Sequence, residues 1–200
     1  MGLLFMLIAC VLSYFVGSIP SGLIFGKLIW NTDLREHGSH NIGATNAWRT
    51  LGKPAGLLIF AFDFLKGVIG VWLGAALSGT PLALVLGGIF AILGHSCSLF
   101  LGFKGGKGVA TGLGVIAMLM PETALIVFLV WFAIVWATRY VSLGSIIAAA
   151  CVPVFAWIFG EPKETVAFGV IAAVFIIYRH QSNIERLLSG TESKIKAAKR

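Results

Sequence analysis

Two lysines, Lys104 and Lys107, lie in a glycine-rich stretch over residues 102–114 (GFKGGKGVATGLG), which long apolar runs flank on both sides. Ammonium groups and bare backbone are costly near hydrocarbon unless they have partners. Glycine lets successive N–H groups converge, and a helix that begins near Val109 would add its positive end. The pattern therefore favours a bound anion such as phosphate. The candidate binding residues are Lys104, Gly105, Gly106, Lys107, Gly108 and Thr111.

The stretch is not a Walker A loop, because that pattern needs a glycine at Leu101 and a hydroxyl residue at Gly108. Nucleotide hydrolysis is therefore not implied. The sequence also shows no arrangement that resembles a serine, histidine and acid triad, and no GxSxG elbow. Neither clustered carboxylates nor a histidine pair at ligand spacing indicates a metal, and we expect no cofactor.

A second polar segment, residues 38–49, lies in the first long loop, from Trp30 to Lys53. On composition alone it could be an ordinary solvated loop with turn and cap residues. Arg49 favours a binding role, because a guanidinium can hold a phosphate through two parallel hydrogen bonds while small amides and hydroxyls select neighbouring alcohols. The candidate residues are Ser39, Asn41, Thr45, Asn46 and Arg49.

Further candidates lie at the ends of apolar runs. His180 and Asn183 are three residues apart, so on a helix they share a face. Ser142 follows Arg139 in a short turn, where it could be only a helix cap beside a topology anchor, or could face the same pocket. His95, near the end of the third apolar run, could serve either structural hydrogen bonding or the site. Asp63 and Lys66 favour a structural ion pair, and we expect the cysteines to be core residues.

Long apolar runs must position all these residues. Of the 200 residues, 58% are hydrophobic and only 12% are charged, and the mean hydropathy is +0.95, so the chain is an integral membrane protein. We expect an all-α bundle of seven transmembrane helices that forms a single domain over residues 1–200. The first segment is too long for a signal peptide and is expected to be retained. The predicted spans are residues 3–29, 54–78, 81–101, 108–120, 121–138, 142–160 and 163–179.

Basic residues set the orientation. Every lysine and arginine except Lys163 falls on one side of the predicted bundle, which the positive-inside rule makes cytoplasmic. The N-terminus is then outside and the C-terminus cytoplasmic. The net charge of +7 follows from this topology and an anionic substrate, so we expect no nucleic-acid partner. The fourth span, Val109 to Met120, would reach only about 18 Å of a roughly 30 Å hydrocarbon core. The glycine-rich stretch is therefore expected to dip below the headgroups.

The motifs together resemble the bacterial membrane family of acyl-phosphate:glycerol-3-phosphate acyltransferases. The matching stretches are GSHNIGATNAWRTLGK (38–53), DFLKG (63–67), GHSCSLFLGFKGGKGVATGLG (94–114), RYVSLGSI (139–146) and RHQSNIERLLSGTE (179–192). The chain departs from the family pattern at three positions. His40 stands where glycine is usual, Ser98 where proline is usual, and Glu185 where a basic residue is common.

The resemblance implies seven transmembrane helices, an outside N-terminus and an active site on the cytoplasmic side of the bacterial inner membrane. It also implies transfer of a fatty acyl group from acyl phosphate to the 1-hydroxyl of glycerol 3-phosphate, giving lysophosphatidic acid and phosphate without coenzyme A. We expect the chain to act as a monomer. The expected catalytic residues are Lys104, Ser142, His180 and Asn183. The expected substrate-binding residues are Ser39, Asn41, Thr45, Asn46, Arg49, His95, Gly105, Gly106, Lys107, Gly108 and Thr111.

Several alternatives stay open. The glycine stretch is assigned chiefly to acyl phosphate and Arg49 to glycerol 3-phosphate, but the two phosphates could be exchanged. The base is either a phosphate oxygen of glycerol 3-phosphate or His180. An organophosphate transporter shares the need for basic residues, but it predicts polar groups on both sides of the membrane, and the connections on the outer side are nearly bare. A lipid phosphatase or another phosphoglycerol transferase shares the anion chemistry.

Overall fold

The computed structural model describes residues 2–195, which fold into ten α-helices and one short 3-10 turn. They form two compact units that meet in sequence at Leu119 and Met120. The first unit contains α1 (Gly2–Ser18), α2 (Ser21–Trp30), α3 (Ala44–Leu51), α4 (Lys53–Leu77), α5 (Pro81–Ser96), the 3-10 turn (Leu99–Leu101) and α6 (Val109–Leu119). The second unit contains α7 (Pro121–Thr138), α8 (Val141–Ile158), α9 (Lys163–Arg179) and α10 (Gln181–Leu188).

Five helical segments within residues 2–195 are long and apolar enough to cross a membrane: Gly2–Trp30, Lys53–Leu77, Pro81–Leu101, Pro121–Thr138 and Val141–Ile158. A sixth is added if α9 and α10, which meet at an angle of 59°, count as one span. The remaining apolar helix, α6, has 11 residues. At about 1.5 Å per residue it reaches roughly 16 Å, which is too short to cross the core alone. The protein is thus an all-helical integral membrane protein with five or six spans by length.

Close contacts between helix backbones hold the first unit together. A Cβ at Gly70 of α4 would lie 2.7 Å from the carbonyl oxygen of Gly87 in α5. A Cβ at Gly114 of α6 would collide with the carbonyl oxygen of Phe64 in α4. Glycine allows this approach, and such contacts replace the hydrophobic driving force that is missing between helices in lipid. The helices that carry the glycine-rich stretch are therefore packed too tightly to move apart easily.

The connection between α2 and α4 is folded, contrary to the interpretation of residues 30–53 as an ordinary solvated loop. Its helix α3 was not predicted. One face of α3 joins a buried cluster with the preceding loop and the start of α4, formed by Leu34, Ala47, Ala55 and Ile59. The apolar residues of α3 recur at helical spacing, so burying that face against α4 stabilises a helix that would be too short alone.

In the second unit, α8 packs against both α7 and α9. Gly144 of α8 approaches Trp131 of α7, and the Trp131 indole donates a hydrogen bond of 3.3 Å to the Ser145 hydroxyl. The segment after α10 returns to the start of α8, where the Ile195 N–H donates to the Arg139 carbonyl over 2.8 Å. This return brings residues 191–195 beside the first turn of α8.

Candidate functional site

The glycine loop, residues 102–108, turns back onto the end of α5. The Gly106 N–H donates a 3.1 Å hydrogen bond to the His95 carbonyl. Gly102 and Gly108 have φ values of +59° and +79°, in the left-handed region that favours glycine. A Cβ at Gly105 or at Gly106 would collide with His95. The reversed backbone predicted for this stretch is therefore present, and its glycines leave the space that His95 occupies.

The side chains around this loop differ in exposure. Lys104 is exposed and Lys107 is half-buried. Helix α6 begins at Val109, as predicted, and its first N–H groups precede the helical hydrogen-bonding pattern. Thr111, in the first turn of α6, is fully buried, and its hydroxyl has no hydrogen-bond partner among the described residues. Two ammonium groups and a helix N-terminus make this loop well suited to an anion.

A buried polar cluster, formed by Ser21, Asp63, Lys66 and His95 and called the Asp63 cluster below, lies beside the glycine loop. Asp63 Oδ1 accepts hydrogen bonds of 2.6 Å from Ser21 Oγ and 2.6 Å from Lys66 Nζ. His95 Nδ1 lies 3.6 Å from the same oxygen, an ion-pair distance that is long for a hydrogen bond. The predicted pair of Asp63 and Lys66 is confirmed. The sequence analysis did not connect Ser21 or His95 to it.

Asn46 organises the first loop. Its Oδ1 accepts from the Ser39 N–H at 2.9 Å, and its Nδ2 donates to the carbonyls of Leu34, His37 and Asn41 at 2.8–3.0 Å. The residue is 2% exposed. Its amide is therefore fully used inside the loop, where Asn46 holds the segment in one conformation.

The other predicted residues of this loop are more accessible. Asn41 Oδ1 accepts from the Gly43 N–H at 2.8 Å, which forms a turn before α3. Ser39 is exposed, and Thr45 and Arg49 are half-buried, both on α3. The structure therefore presents Ser39, Thr45 and Arg49 on the surface of the folded segment that Asn46 holds.

Asp33 pairs with two cations, Lys27 in the last turn of α2 and Arg35 in the loop. Asp33 lies 2.7 Å from an Arg35 guanidinium nitrogen and 3.1 Å from the Lys27 ammonium. Hydrogen bonds from Arg35, and secondarily from Lys27, hold the pKa of the Asp33 carboxyl well below its usual range. Because Asp33 already compensates Lys27 and Arg35, these two residues are weak candidates for a phosphate.

In the second unit a carboxylate gathers predicted site residues into the Glu192 cluster, formed by Ser142, Asn183, Arg186 and Glu192. Glu192 Oε1 accepts from Ser142 Oγ and from Asn183 Nδ2, each at 2.7 Å. Its Oε2 accepts from Arg186 Nε, also at 2.7 Å. Burial raises the pKa of Glu192, but the hydrogen bonds from Ser142, Arg186 and Asn183 outweigh burial, so the pKa is lowered overall. A charged Glu192 therefore holds Ser142 and Asn183 together.

The Glu192 cluster rules out the interpretation of Ser142 as a helix cap and adds Glu192 to the candidate residues. Ser142 is not the helix cap, because α8 begins at Val141 after Tyr140 and no side chain caps it. Glu192 itself was missed by the sequence analysis. Its position in a polar tail gave no sign of burial, although it is only 7% exposed.

His180 lies at the break between α9 and α10. The two helices meet at 59°, so His180 and Asn183 do not share one continuous helix as the spacing suggested. His180 Nδ1 lies 2.7 Å from the Ile176 carbonyl, and a carbonyl can only accept. Nδ1 therefore carries the hydrogen, and in the neutral ring Nε2 has a lone pair that can take a proton.

Comparison with known proteins decides the family. The profile of the glycerol-3-phosphate acyltransferase family matches residues 7–190. The chain belongs to this family. It is 45% identical over 185 residues to a glycerol-3-phosphate acyltransferase from Syntrophomonas wolfei, covering 92% of this chain and 94% of the relative. A glycerol-3-phosphate acyltransferase from Fusobacterium nucleatum is 46% identical, with 93% and 96% covered.

Solved structures give the same result for this glycerol-3-phosphate acyltransferase. A crystal structure of PlsY (YgiH), an integral membrane glycerol 3-phosphate acyltransferase in its glycerol 3-phosphate form, matches with a TM-score of 0.91 and 43% identity, covering 96% of each chain. The lysophosphatidic acid form of PlsY matches with a TM-score of 0.88 and 41% identity, covering 96% of this chain and 95% of PlsY. The family resemblance and the all-helical membrane fold are confirmed.

The three departures from the family pattern have local explanations in this acyltransferase. His40 has a φ of +55°, a left-handed conformation in which glycine is unstrained. Ser98 has a φ of −65°, which proline also adopts. Its hydroxyl donates a hydrogen bond of 2.6 Å to the Ser18 carbonyl. Glu185 is exposed on α10. Each substitution is thus compatible with the backbone seen here.

Proposed function

We propose that this acyltransferase transfers a fatty acyl group from acyl phosphate to the 1-hydroxyl of sn-glycerol 3-phosphate, giving lysophosphatidic acid and phosphate without coenzyme A. The observation that carries the proposal is the glycine loop with Lys104, Lys107 and the start of α6, in a chain of this family. The relatives solved in glycerol 3-phosphate and lysophosphatidic acid forms support the acceptor and the product. The phosphate-adapted loop supports a donor whose leaving group is phosphate.

The glycine loop is assigned chiefly to the acyl phosphate. The ammonium groups of Lys104 and Lys107 and the first N–H groups of α6 would neutralise the phosphate as it departs. Thr111, with a buried and unpartnered hydroxyl in the first turn of α6, is assigned to the same anion. Glycerol 3-phosphate is assigned to Arg49, with Ser39, Asn41 and Thr45 around it, in the segment that Asn46 holds.

The Glu192 cluster and His180 are assigned to the glycerol hydroxyls. Ser142 and Asn183 each donate to Glu192, and the Ser142 hydroxyl can also accept a hydrogen bond from a substrate. Glu192 is therefore proposed as the group that orients them.

The reaction depends more on aligning the hydroxyl with the carbonyl carbon than on activating either group. An acyl phosphate is a mixed anhydride, so the hydroxyl oxygen attacks the carbonyl carbon, the bond from that carbon to the phosphate oxygen breaks, and phosphate leaves with the electron pair. The hydroxyl proton goes to a phosphate oxygen of glycerol 3-phosphate in the preferred version, and to His180 Nε2 in the alternative. Positioning and charge neutralisation can supply much of the rate.

We place seven membrane-crossing segments in the bacterial inner membrane, with the N-terminus outside and the C-terminus and active site cytoplasmic. The distribution of lysine and arginine supports this orientation, since only Lys163 falls on the other side. The short α6 supports a sunken glycine loop. His95, which contacts that loop, pairs with Asp63, ten residues into α4, or about 15 Å along the helix. A single functional domain and a monomer complete the proposal.

The deciding experiment supplies purified protein with glycerol 3-phosphate and either palmitoyl phosphate or palmitoyl-coenzyme A. Lysophosphatidic acid should form only with the phosphate donor. Lys104→Ala should lower the rate at least about 100-fold, as for other groups that stabilise developing charge. Lys163→Ala, which removes the same charge from an exposed lysine, is the matched control and should change little. Equal turnover with the coenzyme A donor, or a fully active Lys104→Ala variant, would contradict the proposal.

Rate against pH separates the two bases. If the rate of the wild type changes with pH near neutrality, and this change is lost in both His180→Ala and His180→Gln, the imidazole is the base. An unchanged profile, with a lower rate, would support proton transfer to the substrate phosphate.

A further inference from the structure

His95 contacts both the Asp63 cluster and the glycine loop. On one side its Nδ1 lies 3.6 Å from Asp63 Oδ1. On the other side its Nε2 lies where a Cβ at Gly106 would fall, and its own carbonyl accepts the Gly106 N–H at 3.1 Å. Ring and backbone of His95 therefore support the loop at the same glycine.

Asp63 is itself held rigidly. Ser21 and Lys66 each donate to its Oδ1 at 2.6 Å, and all members of the cluster are at most 5% exposed. A fixed carboxylate next to Nδ1 favours the imidazole form that carries its hydrogen there. The Nε2 lone pair of the neutral ring is then directed at the glycine loop.

The Asp63–Lys66 pair alone does not explain this arrangement. Lys66 already compensates the charge of Asp63, and Ser21 adds a hydrogen bond, so the carboxylate does not require a third partner. Burying a further polar ring usually costs stability unless its polar atoms find partners. The contact of the His95 ring with Gly106 indicates that the ring supports the glycine loop.

We propose that Asp63 and His95 are positioning residues for phosphate binding by the glycine loop. Asp63 fixes the imidazole, and the imidazole holds Gly106, and with it the loop that carries Lys104 and Lys107, in the conformation that receives the anion. This inference rests on the proposed function, in which the glycine loop holds a substrate phosphate. It also revises His95 from a substrate-binding residue to one that acts through the loop.

The test compares two substitutions that mimic different ends of the ring. In His95→Asn the amide nitrogen stands near the Nδ1 position, so the contact with Asp63 is kept and the support under Gly106 is lost. In His95→Gln the amide reaches the Nε2 position, so the support is kept. Asp63→Asn removes the carboxylate charge. Ser13→Ala is the matched control, because it removes a buried 3.2 Å bond to the Gly70 carbonyl farther along the same unit.

Binding of inorganic phosphate to the purified proteins and KM for both substrates are measured, together with thermal stability. His95→Asn should weaken phosphate binding about tenfold or more, the effect of losing one or two charge-assisted hydrogen bonds, and should raise KM for one substrate only. His95→Gln should retain most of the affinity. The double variant Asp63→Asn/His95→Asn should bind no more weakly than His95→Asn, because Asp63 acts through His95.

Phosphate affinity of His95→Asn within about twofold of the wild type, with only a lower melting temperature, would overturn the inference. Additive losses in the double variant would overturn the part that concerns Asp63. The proposed function fails separately. It fails if phosphate affinity changes among the variants as expected but the wild type does not acylate glycerol 3-phosphate.

Discussion

Replacing Glu192 should loosen the second unit and separate Ser142 from Asn183. In Glu192→Ala both of these buried side chains lose their 2.7 Å acceptor, and Arg186, whose side chain is 39% exposed, can turn to water. An unsatisfied buried polar group costs about 1–3 kcal/mol, so two such groups give roughly 2–6 kcal/mol. Glu192→Gln keeps the shape but places an amide N–H₂ against either Arg186 Nε or the other two donors. We expect it to lose about 2 kcal/mol.

These losses should appear in thermal unfolding. For a chain of this length, about 1 kcal/mol corresponds to roughly 2–4 °C. Glu192→Ala should therefore melt about 4–24 °C below the wild type, and Glu192→Gln about 4–8 °C below it. Cys10 is buried and Cys97 and Cys151 are half-buried, so a thiol-reactive fluorophore reports unfolding of the detergent-solubilised protein. Glu185→Gln, which removes the same charge from an exposed position, is the control and should melt within about 1 °C of the wild type.

The pH dependence supplies the sharper test. The pKa of Glu192 is lowered in the folded protein, so its contribution is fully present above the unfolded pKa, near 4.5, and is lost as pH falls through the folded value. The difference in melting temperature between wild type and Glu192→Gln should be constant from pH 8 to about 6 and should shrink below about 4.5. A difference that is absent at neutral pH, or equally large in acid, would refute the reasoning.

Three further predictions follow from local contacts. Asn46→Ala leaves four backbone partners in the first loop without their side chain, and should lower stability by about 3 kcal/mol or more and raise KM for glycerol 3-phosphate. At His40, whose φ is positive, His40→Val should be less stable than His40→Gly by about 1–2 kcal/mol in melting experiments. Gly70→Leu forces α4 from α5 and should abolish accumulation of folded protein in membranes, whereas Gly2→Ala, with open space around it, should not.

The sequence predicted the membrane helices well because lipid imposes a simple requirement. Each backbone polar group must bond within its own helix, so long apolar runs leave little choice of structure. Local sequence patterns also predicted three further features correctly. These are the short α6 beginning at Val109, the reversed glycine loop and the ion pair of Asp63 and Lys66. The predicted count of seven spans exceeds the five or six that helix length supports, since α6 is short and α9 is bent against α10.

Polar segments were predicted less well, because their structure depends on partners far away in sequence. Glu192 bonds to Ser142 across 50 residues, and Ser21 to Asp63 across 42. Spacing within a helix carries no information about such pairs. Helix α3 was missed because its stability comes from packing against α4 rather than from its own eight residues.

Three buried polar side chains each make several hydrogen bonds in a segment that contains candidate site residues. They are Asn46, Asp63 and Glu192. None of the three is needed to fill the apolar core, and burying them is costly unless every bond is made. A segment tied by such a residue has few alternative conformations, since breaking one bond leaves a buried group unsatisfied. The same penalty that makes these residues expensive therefore restricts the segments to which we assign the phosphorylated substrates. Substitutions at these positions should consequently impair binding geometry before they unfold the helices around them.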